Sequence, residues 1–241
     1  MKKYFLAIVF SAISLCQTNA QNLRGGFGHA YFGTAMNISP EIQNDLSTSS
    51  LLGSDLQLNR LGVFGGGGGY GVFGRLLLGG SGLGYRVADA TSQGQATLSL
   101  GGGFVNLGYI ATLRENVMTF PYIGIGGKGM NLRVKNDTDQ PFLIGNRSVA
   151  PGRELKLNSG GISFEAGYAV KVFTFFLNEP GSRHHGFIVG LQAGTYIFAG
   201  LEDWHIESSQ DMVPSFSKAY SFSPYIRLTI GGGGFKVLDQ N

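Results

Sequence analysis

Apolar and polar positions alternate with a period of two along most of this chain. Between residues 162 and 172, Ile162, Phe164, Ala166, Tyr168, Val170 and Val172 share one face, while Ser163, Glu165, Gly167, Ala169 and Lys171 share the other. The same rule sets Phe187, Val189, Leu191 and Ala193 against Gly190, Gln192 and Gly194, and Phe222, Ile226, Leu228 and Ile230 against Ser223, Tyr225, Arg227 and Thr229. Alternation of this kind is the pleat of a β-strand. Bounded by turn residues, it predicts eight strands, at 24–37, 58–67, 70–86, 96–110, 119–134, 158–175, 186–199 and 219–231. The glycine cluster 65–69 reads as the turn between the second and third strands, Arg114-Glu115-Asn116 as the next tight turn, and Asn178-Glu179-Pro180-Gly181 as the start of another. Longer polar stretches at 38–57, 87–95, 135–157 and 200–218 make the remaining connections. Long and short connections thus alternate, as they do in bacterial barrels with an even strand count. Each segment supplies the roughly 9 to 11 residues a membrane-crossing strand needs. The prediction is an all-β, eight-stranded antiparallel up-and-down transmembrane β-barrel.

The opening of the chain has a different pattern. Met1-Lys2-Lys3, an apolar run over 4–15 and Thr18-Asn19-Ala20 form a charged start, a short greasy core and a small residue at a cleavage point. That is a secretory signal peptide over 1–20, leaving 21–241 as one barrel domain. No later run of about 20 apolar residues occurs, which excludes a helical span. Lys2 and Lys3 are the only charges in the leader, so the exported part carries 16 basic and 15 acidic side chains. With no polybasic run, nucleic acid is not an expected partner. Cys16 falls in the leader without the small residue that precedes a lipoprotein cysteine, so disulfides, zinc-cysteine sites and cysteine catalysis are all excluded from the exported chain. Charged residues make up 14% of the sequence, against roughly 25% in soluble domains, as expected if much of the surface meets lipid.

An eight-stranded barrel is just wide enough to be filled by side chains. Charges pointing inward must therefore pair across the lumen, with glycine and serine making room for them. The register implied by the fifth and sixth strands brings Lys128 near Glu165, and Arg75, Lys171 and Arg227 are candidates to join this structural network. Tyr31, Phe32, Tyr70, Phe73, Tyr85, Tyr109, Phe120, Tyr122, Tyr196, Phe198, Tyr220 and Phe222 lie mostly near strand ends, where aromatic girdles mark membrane interfaces. Neither the cluster 65–69 nor Gly126-Gly127-Lys128-Gly129 is followed by the Gly-Lys-Ser/Thr of a phosphate-binding loop. Among the histidines, His184 and His185 read as a solvated cluster beside Arg183, and His29 is near the start of the first strand. His205 stands among Glu202, Asp203, Glu207, Ser208 and Asp211 in an outer loop, a weak grouping for a divalent ion or an acyl-transfer site. No cofactor, metal or catalytic set is assigned.

With the leader, the eight strands and segments such as GGGGGYGVFGRLLLGGSGLGYRV, residues 22–235 resemble the small Gram-negative outer-membrane β-barrels of the OmpA/OmpX type. The resemblance implies an outer-membrane location, contact with outer-membrane lipid, and insertion by the barrel assembly machinery, for which Phe235 is the nearest C-terminal aromatic. The leading functional expectation is a non-enzymatic barrel with a filled polar lumen and a structural or surface-interaction role through its outer loops, whose extracellular partner is unknown. Two alternatives use the same residues. One is a lipid-modifying enzyme built on His205 with Ser208 or Ser209 and Glu202 or Asp203, and the other is a secreted lipocalin-like ligand-binding barrel with the apolar faces turned inward.

Overall fold

A computed structural model of the chain describes residues 22–36, 39–47, 58, 61–144, 147–175, 183–209, 211–213 and 218–238. The leader expected at 1–20 and the Asn178 to Gly181 turn lie outside the described residues. Eight long strands dominate: β1 Asn22–Met36, β2 Leu61–Phe73, β3 Leu76–Ala90, β4 Gly94–Tyr109, β5 Val117–Asn136, β6 Glu154–Phe173, β7 Arg183–Gly200 and β8 Tyr220–Leu238. Each pairs antiparallel with the next, and β8 returns to pair with β1. The chain is an eight-stranded up-and-down barrel.

Register fixes its shape. From Gly25 the partners run through Val72, Leu77, Gly108, Tyr122, Gly167, Gly194 and Tyr225 back to Ala35, ten residues further along β1. With strands about 4.8 Å apart and rising about 3.4 Å per residue, that stagger tilts them roughly 40° from the axis.

The pleat sorts side chains as the alternation predicts. Phe32, Val63, Leu78, Val105, Ile125, Phe164, Leu191 and Leu228, one from each strand, are between 43% and 68% exposed on the outside. Outward charges sit towards the ends, with Arg24, Arg183 and Lys236 beside the termini and Arg133, Lys135, Glu154 and Lys156 at the opposite end. A continuous apolar band flanked by charge is the exterior of a transmembrane barrel. It is the inverse of the lipocalin arrangement.

Three expectations are corrected. The glycine cluster 65–69 is not a turn but the middle of β2, and the chain reverses at Gly74 and Arg75, where Gly74 adopts φ +65°. Glycines 231–234 likewise lie within β8. The physical reason is that extended glycine pairs as well as any residue, and here it leaves space for rings. Gly66 faces Tyr31 directly across the ladder, and a Cβ there would stand 2.7 Å from the Tyr31 ring and 2.0 Å from the Gly82 carbonyl oxygen. Secondly, the connection between β3 and β4 is short, residues 91–93, because β3 and β4 continue pairing to Ala90 and Gln95. Thirdly, the stretch 38–57 contains a helix, α1 Pro40–Ser47, which starts on proline and places Ile42 and Leu46 one turn apart, both buried.

β5 and β6 are the longest strands, 20 residues each. At this tilt they span about 50 Å, roughly twice the ~25 Å apolar band of an outer-membrane barrel. Their hairpin therefore projects from the end opposite the termini, together with short pairs at Phe142–Ile144, Arg147–Val149 and His205–Ile206.

Candidate functional site

The lumen is a polar layer between two apolar plugs. At its centre Arg227 from β8 and Glu165 from β6 are almost fully buried and form an ion pair with Nη2 to Oε1 at 3.0 Å. Tyrosines complete the coordination. Tyr225 donates to Glu165 Oε1 at 2.6 Å, and its own hydroxyl lies 2.5 Å from that of Tyr122. Arg227 donates through Nε to Gln192 Oε1 at 2.5 Å, through Nη1 to the Tyr196 hydroxyl at 2.7 Å and through Nη2 to the Tyr122 hydroxyl at 3.2 Å. Its guanidinium carbon also stands 4.2 Å from the centre of the Tyr31 ring, close enough for a cation–π contact. Arg227 thus joins residues of β1, β5, β6 and β7 from its place on β8.

Room for this network comes from glycine on the neighbouring strand. Arg227 faces Gly33, Glu165 faces Gly124, Lys171 faces Gly190 and Lys128 faces Gly102. A Cβ on Gly33 would fall 2.7 Å from that of Arg227, and one on Gly190 would fall 2.6 Å from Lys171 Cδ. Lys171 donates to Thr229 Oγ1 at 2.6 Å. Asn106 donates to Ser81 Oγ at 2.9 Å.

Two hydrophobic clusters close this layer from either side. Towards the termini, Leu23, Phe27, Val72, Leu77, Phe120, Phe173, Phe235 and Val237 pack together. At the opposite end the cluster runs from Tyr31 and Phe64 through Leu98, Leu132 and Leu157 to Trp204, Ile144, Val149 and the α1 residues Ile42 and Leu46. Between Phe64, Leu83, Leu100, Lys128 and Tyr196 the free space is about 10 Å³, no more than one water occupies.

No protein-family model and no curated protein matches this chain. Among solved structures, it is similar to the attachment invasion locus protein Ail of Yersinia pestis, with 11% identity, a TM-score of 0.39, and coverage of 87% of this chain and 98% of that one. Neisserial surface protein A gives 14% identity and a TM-score of 0.36 over 88% and 97% of the two chains. The outer-membrane protein OprG of Pseudomonas aeruginosa gives 11% and 0.33 over 91% and 99%. The likeness is one of fold alone.

The sequence-predicted residues distribute as follows. Glu165 and Arg227 meet, and Lys171 points inward beside them on β6. Lys128 is buried but does not reach Glu165. It pairs with Gly161, whereas Gly124 is the residue opposite Glu165, so the two side chains stand at different levels of β5 and β6. Its ammonium instead lies 5.6 Å from the Tyr196 ring centre and 5.7 Å from that of Phe198. Arg75 sits in the β2–β3 turn, half-buried at the terminal end, away from the central pair.

In the outer loop, Glu202, Asp203, His205 and Glu207 do not converge. Asp203 pairs with Lys218 at 3.7 Å and Glu207 with Lys156 at 3.6 Å. Glu202 uses its backbone, accepting from Ser159 Oγ and donating to the Gly160 carbonyl. His205 extends a short ladder opposite Asn158 and Met212. Among the described residues no three of histidine, aspartate and glutamate come together as a metal-holding group.

The aromatic girdle is the largest correction to the predicted site. Tyr31, Tyr70, Tyr85, Phe120, Tyr122, Tyr196 and Phe198 are buried inside the barrel, and only Phe32, Phe73, Tyr109, Tyr220 and Phe222 of that set face outward. Strand parity is the signal that sequence reading passed over. Tyr122 shares a face with Lys128, at even positions of β5, and so belongs with the lumen charges, as Tyr225 does beside Arg227 on the face already read from the alternation.

Proposed function

We propose that this chain is an outer-membrane β-barrel without enzymatic activity, whose body is a solid membrane anchor and whose projecting outer end engages surfaces or ligands. The observation that carries the reading is the union of an uncharged apolar belt outside with a packed ionic and aromatic interior. An exterior of exposed Ile, Leu, Val and Phe suits hydrocarbon, and a lumen crossed by the Arg227–Glu165 network with an apolar cluster on either side supports a barrel that conducts no solutes. What remains free to act is the end built by the β5–β6 hairpin, the Trp204 loop and α1. The exposed side chains there include the charged Arg133, Lys135, Glu154 and Glu207 beside the apolar Leu143, Leu201 and Met212.

Two measurements test this. Cell fractionation is expected to recover the protein in detergent extracts of the outer membrane, and recovery in soluble form without detergent would refute the membrane reading. In planar bilayers the purified protein is expected to give no stable porin-sized channels, and such channels would refute the filled lumen.

A further inference from the structure

The terminal end of the barrel carries a cationic cradle outside the lumen network. Arg24 on β1 stands directly opposite Lys236 on β8, and Lys236 directly opposite Arg183 on β7. All three are exposed on the outer face. Their strands are about 4.8 Å apart, and like charges placed directly across a ladder destabilise it. Among the described residues none of the three meets a carboxylate: the ion pairs found there use Arg133, Lys135, Lys156, Lys218 and Arg227 instead.

A cavity of about 510 Å³ opens among them, lined also by Gly25, His185, Gly234 and Phe235. The two glycines are held by geometry. A Cβ on Gly25 would fall 2.1 Å from the Gly234 carbonyl oxygen, and one on Gly234 would fall 2.2 Å from His185 Nδ1. The floor is therefore bare, and the walls are cations with an imidazole. Phe73, 57% exposed, stands directly opposite Arg24, and towards the middle of the barrel the outer surface continues apolar, with Phe187 four residues from Arg183 and Ile230 six from Lys236, 70% and 58% exposed. The cradle thus lies on the boundary between hydrocarbon and headgroups.

We propose that it binds the phosphate of an anionic phospholipid of the phosphatidylglycerol class, in the leaflet at the terminal end, with an acyl chain lying against Phe187 and Ile230. Three clustered cations that meet no carboxylate among the described residues favour a headgroup with net negative charge over phosphatidylethanolamine, whose ammonium they repel. The inference rests on the membrane reading above, and its test separates the two.

The full chain, folded in detergent, is presented with equal amounts of phosphatidylglycerol and phosphatidylethanolamine, and retained lipid is read by native mass spectrometry. Each basic residue near an anionic surface contributes about fivefold, so a preference for phosphatidylglycerol of at least about tenfold is expected. Arg24→Gln, Arg183→Gln and Lys236→Gln combined should bring the two lipids to parity, while Arg86→Gln on the outer face of β3 leaves the preference unchanged. If the triple variant does not fold, as judged by its gel mobility before and after heating, Lys236→Gln alone should lose about fivefold. Equal retention by the unaltered chain, or a preference that survives the substitutions, overturns the proposal. So does displacement of the lipid by inorganic phosphate at matching concentration, which would mark a free-anion site. A chain that stays in solution without detergent overturns instead the membrane reading.

Discussion

Glu165→Gln is the substitution that interrogates the lumen most sharply. Glutamine keeps the shape of the side chain and an oxygen to accept from Tyr225, so packing and the 2.6 Å hydrogen bond survive while the charge is lost. At 3.0 Å from the guanidinium, the Coulomb attraction removed is about 5 kcal/mol at an effective dielectric near 20. Gln192, Tyr196 and Tyr122 still accept from Arg227, and Tyr31 still lies under it, which offsets part of that loss. The net cost should be about 3 kcal/mol, at the lower end of the range for breaking a buried pair. Arg227→Met should cost a similar or larger amount, since it strands the carboxylate. Combining the two should cost about 2 kcal/mol or more less than the sum of the single effects, because the second change removes the group that the first left unpaired. The assay is urea unfolding in lipid vesicles followed by far-ultraviolet circular dichroism, with Trp204, the one tryptophan in the chain, as a second probe. A Glu165→Gln chain within about 0.5 kcal/mol of the parent, or strict additivity in the double variant, would refute the claim that this pair organises the lumen.

Inward and outward glycines should respond in opposite directions. Gly66→Ala, whose Cβ would meet the Gly82 carbonyl oxygen and the Tyr31 ring, should destabilise by about 2 kcal/mol or more, whereas Gly84→Ala, with nothing within 4 Å, should be neutral or stabilise by about 0.5 kcal/mol; equal effects in the same unfolding assay would contradict the packing described. Phe164→Arg on the outer belt should cost about 2–4 kcal/mol in vesicles, and a cost near zero would place that face in water. Trp204→Ala should cost about 3–5 kcal/mol by opening the outer plug, and an unchanged midpoint would show that the loop does not seal the barrel.

Most of the barrel was legible because a period of two is hard to counterfeit. The faces of β6, β7 and β8 read from sequence are those observed, and the inward charges at Glu165, Lys171 and Arg227 followed from them. The errors have one physical origin. Glycine reads as punctuation at 65–69 and as the close of the eighth strand at 231, yet in this wall it is the complement of an aromatic or charged side chain on the adjacent strand. The same omission sent Tyr31, Tyr122 and Tyr196 to the membrane interface, when the glycines at 66 and 167 opposite the first two mark inward positions. Lys128 and Glu165 were brought together by approximate register, and a shift of four residues along the β5–β6 ladder was enough to separate them. The helix α1 had a signal, proline followed by Ile42 and Leu46 one turn apart, but in so polar a stretch that signal is faint.

The most direct test of the account exploits the absence of cysteine from residues 21–241. Individual cysteines at Phe164, Ile226 and Leu228, and at the inward Ser163, can each carry a spin label in the vesicle-embedded protein. Labels at the first three should be relaxed by oxygen dissolved in hydrocarbon and untouched by a water-soluble paramagnetic reagent, while the label at 163 should be shielded from both. Strong relaxation of the label at 164 or 228 by the aqueous reagent would contradict the orientation of the wall on which the whole reading depends.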